Sequence, residues 1–235
     1  MCKMTFSKEW DYRYKENTHM SIWPWSDLVS HVMRYARPTG ENFRVLELGC
    51  GAGANIPFLI SLEIDYYAIE GSSTIVEILK KKFPSISTNI VQGDFTLEIP
   101  FDGTFDLIVD RSAVTHNTTQ GIKNCLNNIY KKLKKNGKYI GIDWFSTISS
   151  DFLNGHAIDE DKFTRTGYEK GMFAKVGRAH FSDKNHLLEL FSEFDILHLE
   201  HKIIKTEMPE NDYQAAWWNL VVQKIDNPKL QNHNS

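Results

Sequence analysis

The residues best equipped for chemistry in this chain are four acids and one histidine, each beside a turn. Glu47 lies inside the apolar run Val45-Leu46-Glu47-Leu48, directly before Gly49-Cys50-Gly51-Ala52-Gly53. Glu70 closes a second run, Asp65–Glu70, and Asp94 stands between Gly93 and Phe95. Asp110 ends Phe105-Asp106-Leu107-Ile108-Val109-Asp110, and Arg111 and His116 follow it. A lone carboxylate in an apolar strand is costly unless a cation or donors meet it, and a ligand's ammonium group would do so at Glu47. Acids at strand ends accept from ribose hydroxyls or from an amino group, while alternating glycines let the backbone approach a bound molecule. Histidine ordinarily titrates near neutral pH, so His116 is the preferred general base. Arg111 either binds an anionic acceptor or pairs with an acid.

These positions require strands that end at a common edge. Residues 43–48 read as a buried strand running into the glycine turn and then a helix from Ala54, with Pro57 tolerated in its first turn. The strand 65–70 precedes a helix with Thr74 and Glu77 as a capping box, stopped by Pro84. A short strand near 89–92 and the strand 105–110 follow. The next helix carries Ile122, Leu126, Ile129 and Leu133 at helical spacing, with Lys131, Lys132, Lys134 and Lys135 in its last turns and Gly137 as its terminator. Lys138–Trp144 is a strand, Ser182 to Ser192 a helix, and Phe194–Ile204 and Ala215–Ile225 are two strands. Only Thr206–Gln214 separates that last pair, too few residues for a crossover helix, so they pair antiparallel. Alternation of strand and helix implies a parallel sheet covered on both faces. Ahead of it, a helix from Pro24 ends by Arg37, after an aromatic start with Trp10, Tyr14, Trp23 and Trp25.

Bulk composition removes several classes. The chain has 235 residues, 41% hydrophobic and 24% charged, with 27 basic and 30 acidic residues and a formal net charge of −3. This balance gives no electrostatic case for nucleic acid. No apolar run has the length of a membrane span and the polar start lacks a signal-peptide core, so a cytoplasmic location is expected. Cys2, Cys50 and Cys125 are odd in number and lack metal-ligand spacing; reduced thiols and no metal are expected.

The glycine turn alone fits a dinucleotide fingerprint if Ala54 replaces its last glycine. Glu47, Gly93-Asp94 and the antiparallel ending separate it from a nicotinamide fold. Val-Leu-Glu-Leu-Gly-Cys-Gly-Ala-Gly at 45–53, together with Glu70, Gly93-Asp94, 105–110 and Leu133 to Gly137 before a strand, resembles the class I S-adenosylmethionine-dependent methyltransferases. The resemblance spans about residues 43–225, and Gly137-Lys138 departs from it where many members have two glycines. It implies a Rossmann-like α/β fold: a seven-stranded, mostly parallel sheet with an antiparallel last strand and helices on both faces.

The resemblance also implies S-adenosylmethionine as cofactor and S-adenosylhomocysteine as product. Gly49, Gly51 and Gly53, with Cys50, would pass the amino-acid and ribose part, and Glu70, Gly71 and Ser72 the ribose. Asp94 and Phe95 would hold adenine, and Asp110 would line the cleft between sulfur and acceptor. The expected catalytic pair is Asp110 and His116, and the acceptor meets Arg111, His116 and Trp144. Expected organisation is a cap at 1–42, a methyltransferase domain at 43–225 with an inserted lid or loop region at 145–180, and a tail at 226–235. The expected reaction is direct methyl transfer to a small-molecule hydroxyl, amine or carboxyl, by a monomer or homodimer away from nucleic acid and membrane. The alternatives are a nicotinamide-dependent oxidoreductase and a non-catalytic binding module for the same cofactor.

Overall fold

The structure is a computed structural model and describes residues 6–158 and 160–225. Its strands are β1 (Arg44–Leu48), β2 (Asp65–Glu70), β3 (Ile90–Gln92), β4 (Phe105–Arg111), β5 (Leu133–Phe145), β6 (His156–Ile158), β7 (Asp161–Thr166), β8 (Ala179–His180), β9 (Phe194–Lys205) and β10 (Gln214–Lys224). Seven of them form one sheet in the order β3-β2-β1-β4-β5-β10-β9. The pairs β1–β2, β1–β4, β2–β3 and β4–β5 are parallel, and β10 runs antiparallel to both of its neighbours. This is the mostly parallel sheet with an antiparallel last strand that the sequence predicts. The β1–β4 neighbourhood is also the switch point at which chain order reverses, where open α/β sheets bind ligands.

The helices are α1 (Glu9–Lys15), α2 (Ser26–His31), α3 (Ile56–Ile60), α4 (Ser73–Lys82), α5 (Thr119–Lys132), α6 (Ser150–Asn154) and α7 (Lys184–Leu190). Two apolar layers sandwich the sheet because its central strands alternate between them. Leu46, Leu48 and Ile108 join Leu126 and Ile129 of α5 on one side. Val45, Leu107 and Val109 join Leu28 of α2, Leu59 of α3 and Leu79 of α4 on the other. Strands buried on both faces read as continuous apolar runs, which is why β1 and β4 are plain in the sequence.

Several local expectations are corrected. The cap of α4 is Ser72, whose Oγ accepts from Ile75 N at 3.2 Å, in place of the Thr74–Glu77 box. Helix α5 stops at Lys132, so Leu133, Lys134 and Lys135 belong to β5. Lys134 there pairs with Asp106 at 2.7 Å, which gives its charge a strand-side partner. Gly137 does not terminate a helix; a Cβ on it would lie 2.9 Å from the Lys134 carbonyl oxygen and 3.1 Å from that of Phe105. The left-handed residue nearby is Asn136, at φ 61°. Helix α2 continues into a wider π turn, Val32–Ala36, closed by Arg37 at φ 47°. Residues 145–180 hold α6 and the three-stranded sheet β6-β7-β8, and Phe145, Tyr168, Phe173 and Val176 are buried there together with Phe181 just beyond. Cys2 and the tail at 226–235 lie outside the described residues.

Candidate cofactor and acceptor cleft

A cleft of about 440 Å³ opens at the carboxyl ends of β1, β2 and β4, within the range of small-molecule sites. Its floor is the glycine turn. Gly49 (φ 63°) and Gly51 (φ 50°) adopt left-handed backbone that other residues reach only at a cost. At Gly49 a Cβ would come within 2.3 Å of Ala113 Cβ, so the turn and the loop after β4 touch only because no side chain intervenes. At Gly51 it would meet the Tyr14 hydroxyl at 3.1 Å.

Two acids stand on the β2–β3 side. Glu70 is buried and accepts from Gly51 N at 2.9 Å and from Ser72 N at 3.0 Å. Burial raises its pKa, and these backbone donors oppose the rise. Asp94 accepts from Thr96 N at 2.9 Å and Thr96 Oγ1 at 2.6 Å. Its other oxygen accepts from the backbone N–H of Phe6 at 3.1 Å. Gly71, Gly93 and Phe95 complete this end.

Glu47 is held by two neutral donors: Tyr66 OH at 2.6 Å and Asn55 Nδ2 at 2.8 Å. Burial pushes its pKa up to about 7. The cation sought for it from the sequence is thus preceded by protein donors, although Glu47 and Asn55 both still line the cleft. Asn55 also accepts from Trp25 N at 3.1 Å, which ties the N-terminal segment to the site.

The N-terminal segment forms the roof. Phe6, Trp10, Tyr14, His19 and Trp25 all face the cleft. Helix α1 is fastened beside it by Asp11, which accepts from Ser72 Oγ at 2.6 Å and pairs with Lys15 at 2.8 Å. Lys15, then Ser72, hold the Asp11 carboxyl well below the usual carboxylate range. The sequence places a cap here but not the direction of its rings, because α1 is short and Phe6 and Trp25 lie on chain without periodicity.

The remaining wall comes from the loop after β4 and from residues 145–180. His116 is half-buried, edge-on to Trp10 at 4.8 Å and to Phe145 at 5.4 Å between ring centres. Its Nδ1 lies 3.0 Å from the Arg178 carbonyl oxygen, which can only accept, so the proton sits on Nδ1 and Nε2 keeps a lone pair. Burial lowers its pKa to about 4, well below the neutral titration expected from sequence. Arg111 stacks its guanidinium 3.7 Å over the Trp25 ring and donates from Nε to Asp143 at 2.9 Å. Met172, Phe173, Val176 and Trp217 add apolar surface.

Four expected site residues stand elsewhere. Asp110 is fully buried under the loop and lies outside the cleft lining. Its carboxylate accepts from Ala113 N at 2.8 Å, Val114 N at 3.0 Å, Trp144 Nε1 at 2.9 Å and Tyr139 OH at 3.2 Å. It therefore pins the turn that presents Ser112 to His116, and burial raises its pKa to about 6. Trp144 is likewise buried, facing Asp110 and Phe191 where an acceptor contact was expected. Gly53 (φ 80°) lets α4 approach, since a Cβ there would meet Leu79 Cδ2 at 2.6 Å. Ser72 is spent as the α4 cap and the Asp11 donor.

Residues 45–137 match a family described as a methyltransferase domain. Similar solved structures include an S-adenosylmethionine-dependent methyltransferase from Methanosarcina mazei, with TM-score 0.65, 15% identity and coverage of 86% of this chain and 99% of that one. Another, from Clostridium acetobutylicum, has TM-score 0.56 and 14% identity over 94% of this chain and 93% of that one. TehB from Haemophilus influenzae has TM-score 0.58 and 17% identity over 92% of this chain and 67% of its own. At such identities the likeness is one of fold. No curated protein matches the sequence. Residues 45–137 thus match a methyltransferase domain, and the fold around them is shared with solved S-adenosylmethionine-dependent methyltransferases. The antiparallel β10 excludes the second parallel half of a nicotinamide dinucleotide fold.

Proposed function

We propose that the protein is an S-adenosylmethionine-dependent methyltransferase that methylates a small, largely apolar or aromatic molecule through a hydroxyl, amine or carboxyl group. The observation carrying this reading is the aromatic enclosure around the His116 ring, built by Trp10, Phe145 and Phe173. Polymeric nucleic acid would need a basic surface, and the chain carries a net charge of −3.

Cofactor recognition falls to Glu70 for the ribose hydroxyls, Asp94 and Phe95 for adenine, and Gly49, Cys50 and Gly51 along the chain between them. Glu47 and Asn55 take the amino-acid end. The fit rests on a carboxylate and a glycine cradle facing one cleft, with Gly51 N already oriented by Glu70 at 2.9 Å. Bound there, the cofactor supplies an electrophilic methyl group on a sulfonium sulfur.

The protein's share of the chemistry is alignment and exclusion of water, which supply most of the acceleration in such transfers. The aromatic walls fix the acceptor's plane, and Arg111 orients an electron-rich or anionic edge. A hydroxyl or amine acceptor becomes cationic as it gains the methyl group, and its proton becomes far more acidic than in the free molecule, whereas a carboxylate gives a neutral ester and has no proton to lose. From a hydroxyl or amine, His116 Nε2 receives that proton. A weak base suffices because the proton leaves after positive charge has built on the acceptor. Residues 6–25 serve as cap and 168–178 as lid, and Asp110 positions the loop without touching the acceptor.

Labelled donor offered with a panel of aromatic and apolar hydroxyls, amines and acids tests the proposal. Transfer to at least one panel class that His116→Ala slows at least tenfold, with unchanged affinity for S-adenosylhomocysteine, is the expected result. Transfer confined to nucleic acid or protein would overturn it.

A further inference from the structure

Away from the cleft, α2 crosses the face of edge strand β9, and three side chains meet at that crossing. His31 closes α2, while His198 and Glu200 stand two residues apart on β9 and so share a face. One donor atom from each, among the described residues, lies within 4.8 Å of the other two. We propose that His31, His198 and Glu200 form a binding site for a divalent first-row transition ion of the zinc class, which clips the N-terminal helix to the sheet edge.

Three features set this cluster apart from a chance grouping of polar side chains. His31 Nδ1 lies 2.8 Å from the Asp27 carbonyl oxygen, so Nδ1 carries the proton and Nε2 is the unprotonated, ligand-competent nitrogen. The Nε2 atoms of His31 and His198 are both buried, and neither finds a hydrogen-bond partner among the described residues. A buried ring nitrogen left so is unfavourable, and a metal ion would satisfy both at once. The third ligand is oriented from behind: Glu200 Oε1 accepts from Asn219 Nδ2 at 3.0 Å, which leaves Oε2 facing His198 Nε2 at 3.8 Å. Tyr35 stacks on the His198 ring at 5.2 Å and limits its rotation.

Two imidazoles and a carboxylate make a set suited to zinc, with a fourth position left for water. Ligand atoms of a tetrahedral site sit roughly 3.4 Å apart, given bonds of about 2.1 Å, so the cluster must contract by an ångström or so. Half-exposed Glu200 has the freedom to supply that movement. The neighbouring cation, Lys202, is engaged by Asp27 and by Asp143 at 3.4 Å, so it does not neutralise Glu200. By contrast, His180 and His186 in the smaller sheet satisfy each other, with Nε2 atoms 3.2 Å apart.

The site has a consequence for the cleft. Trp25, immediately before α2, is the surface on which Arg111 stacks, so an ion fixing α2 also fixes one side of the acceptor wall. The experiment is titration of chelator-stripped, tag-free full-length protein with Zn2+ by calorimetry, with Co2+ absorption as a second readout. One equivalent per chain, with a low-coordinate Co2+ spectrum, is expected. His198→Ala and Glu200→Gln should each weaken binding at least tenfold while leaving S-adenosylhomocysteine affinity unchanged. Both lie at a half-exposed strand edge and spare the buried His31, so loss of fold does not confound them. Substoichiometric uptake, or uptake undiminished in the double variant, would overturn the proposal.

Discussion

The backbone N–H of Phe6 donates to Asp94 Oδ2 at 3.1 Å, and the Phe6 ring lies so close over Gly71 that a Cβ there would be 2.0 Å from its Cδ2. An N–H donor and a flat ring thus occupy the end of the cleft assigned to adenine, which would offer the same two features. On the proposed assignment, adenine and the N-terminal segment would compete for one acid. Phe6→Gly keeps the N–H but removes the ring that lies over Gly71, so it should tighten S-adenosylhomocysteine binding several-fold in calorimetry. Weaker binding would mean that Phe6 holds the cofactor instead of yielding to it.

His116 is neutral above about pH 4 because burial disfavours its charged form. A base already deprotonated at pH 6 adds no rise in rate between pH 6 and 8. The kcat profile should be flat there for an acceptor without its own titration, and should fall only toward pH 4. His116→Gln should lower kcat tenfold or more at every pH in that window. A wild-type limb near 6.5 that disappears in the variant would refute the burial argument.

Glu47 carries a pKa of about 7 in the folded protein against an ordinary value of 4.5. A carboxyl with a raised folded-state pKa binds more protons folded than unfolded, so stability falls as pH rises from about 4.5 to about 7. The full effect at pH 8 is on the order of 3 kcal/mol. Glu47→Gln should accordingly be more stable than the parent at pH 8 and lose that advantage by pH 4. Thermal melts across this range read the crossover, and a constant difference would contradict it.

Asp110 satisfies four donors inside the fold, so Asp110→Ala leaves them all unpaired. A loss of about 3 kcal/mol is expected, since buried donors without acceptors keep their full desolvation cost. Denaturant melts check this. A variant as stable as the parent would show that the loop after β4 does not depend on this carboxylate.

The central sheet was legible because buried parallel strands leave apolar runs and the crossing helices leave caps and breaks. Strands β1, β2 and β4 follow the sequence reading to within a residue or so. Gly137 was misread because a glycine after a lysine-rich helix resembles a terminator, whereas here it makes room for two carbonyl groups. Asp110 was misread for a related reason. A strand-end acid can face the ligand or turn back to pin its own loop, and only Trp144, 34 residues later, distinguishes the two. The roof over the cleft was least legible. Phe6 reaches Asp94 across 88 residues, and no local spacing encodes such a contact.

Glu70 tests the account most directly, because the cleft's assignment as the cofactor site converges on its carboxylate. Calorimetric titration of S-adenosylhomocysteine into the parent and into Glu70→Ala is the measurement. Micromolar or tighter binding with one site per chain, weakened at least thirtyfold in a variant that remains folded, is the predicted result. Equal affinity in the two proteins would contradict it.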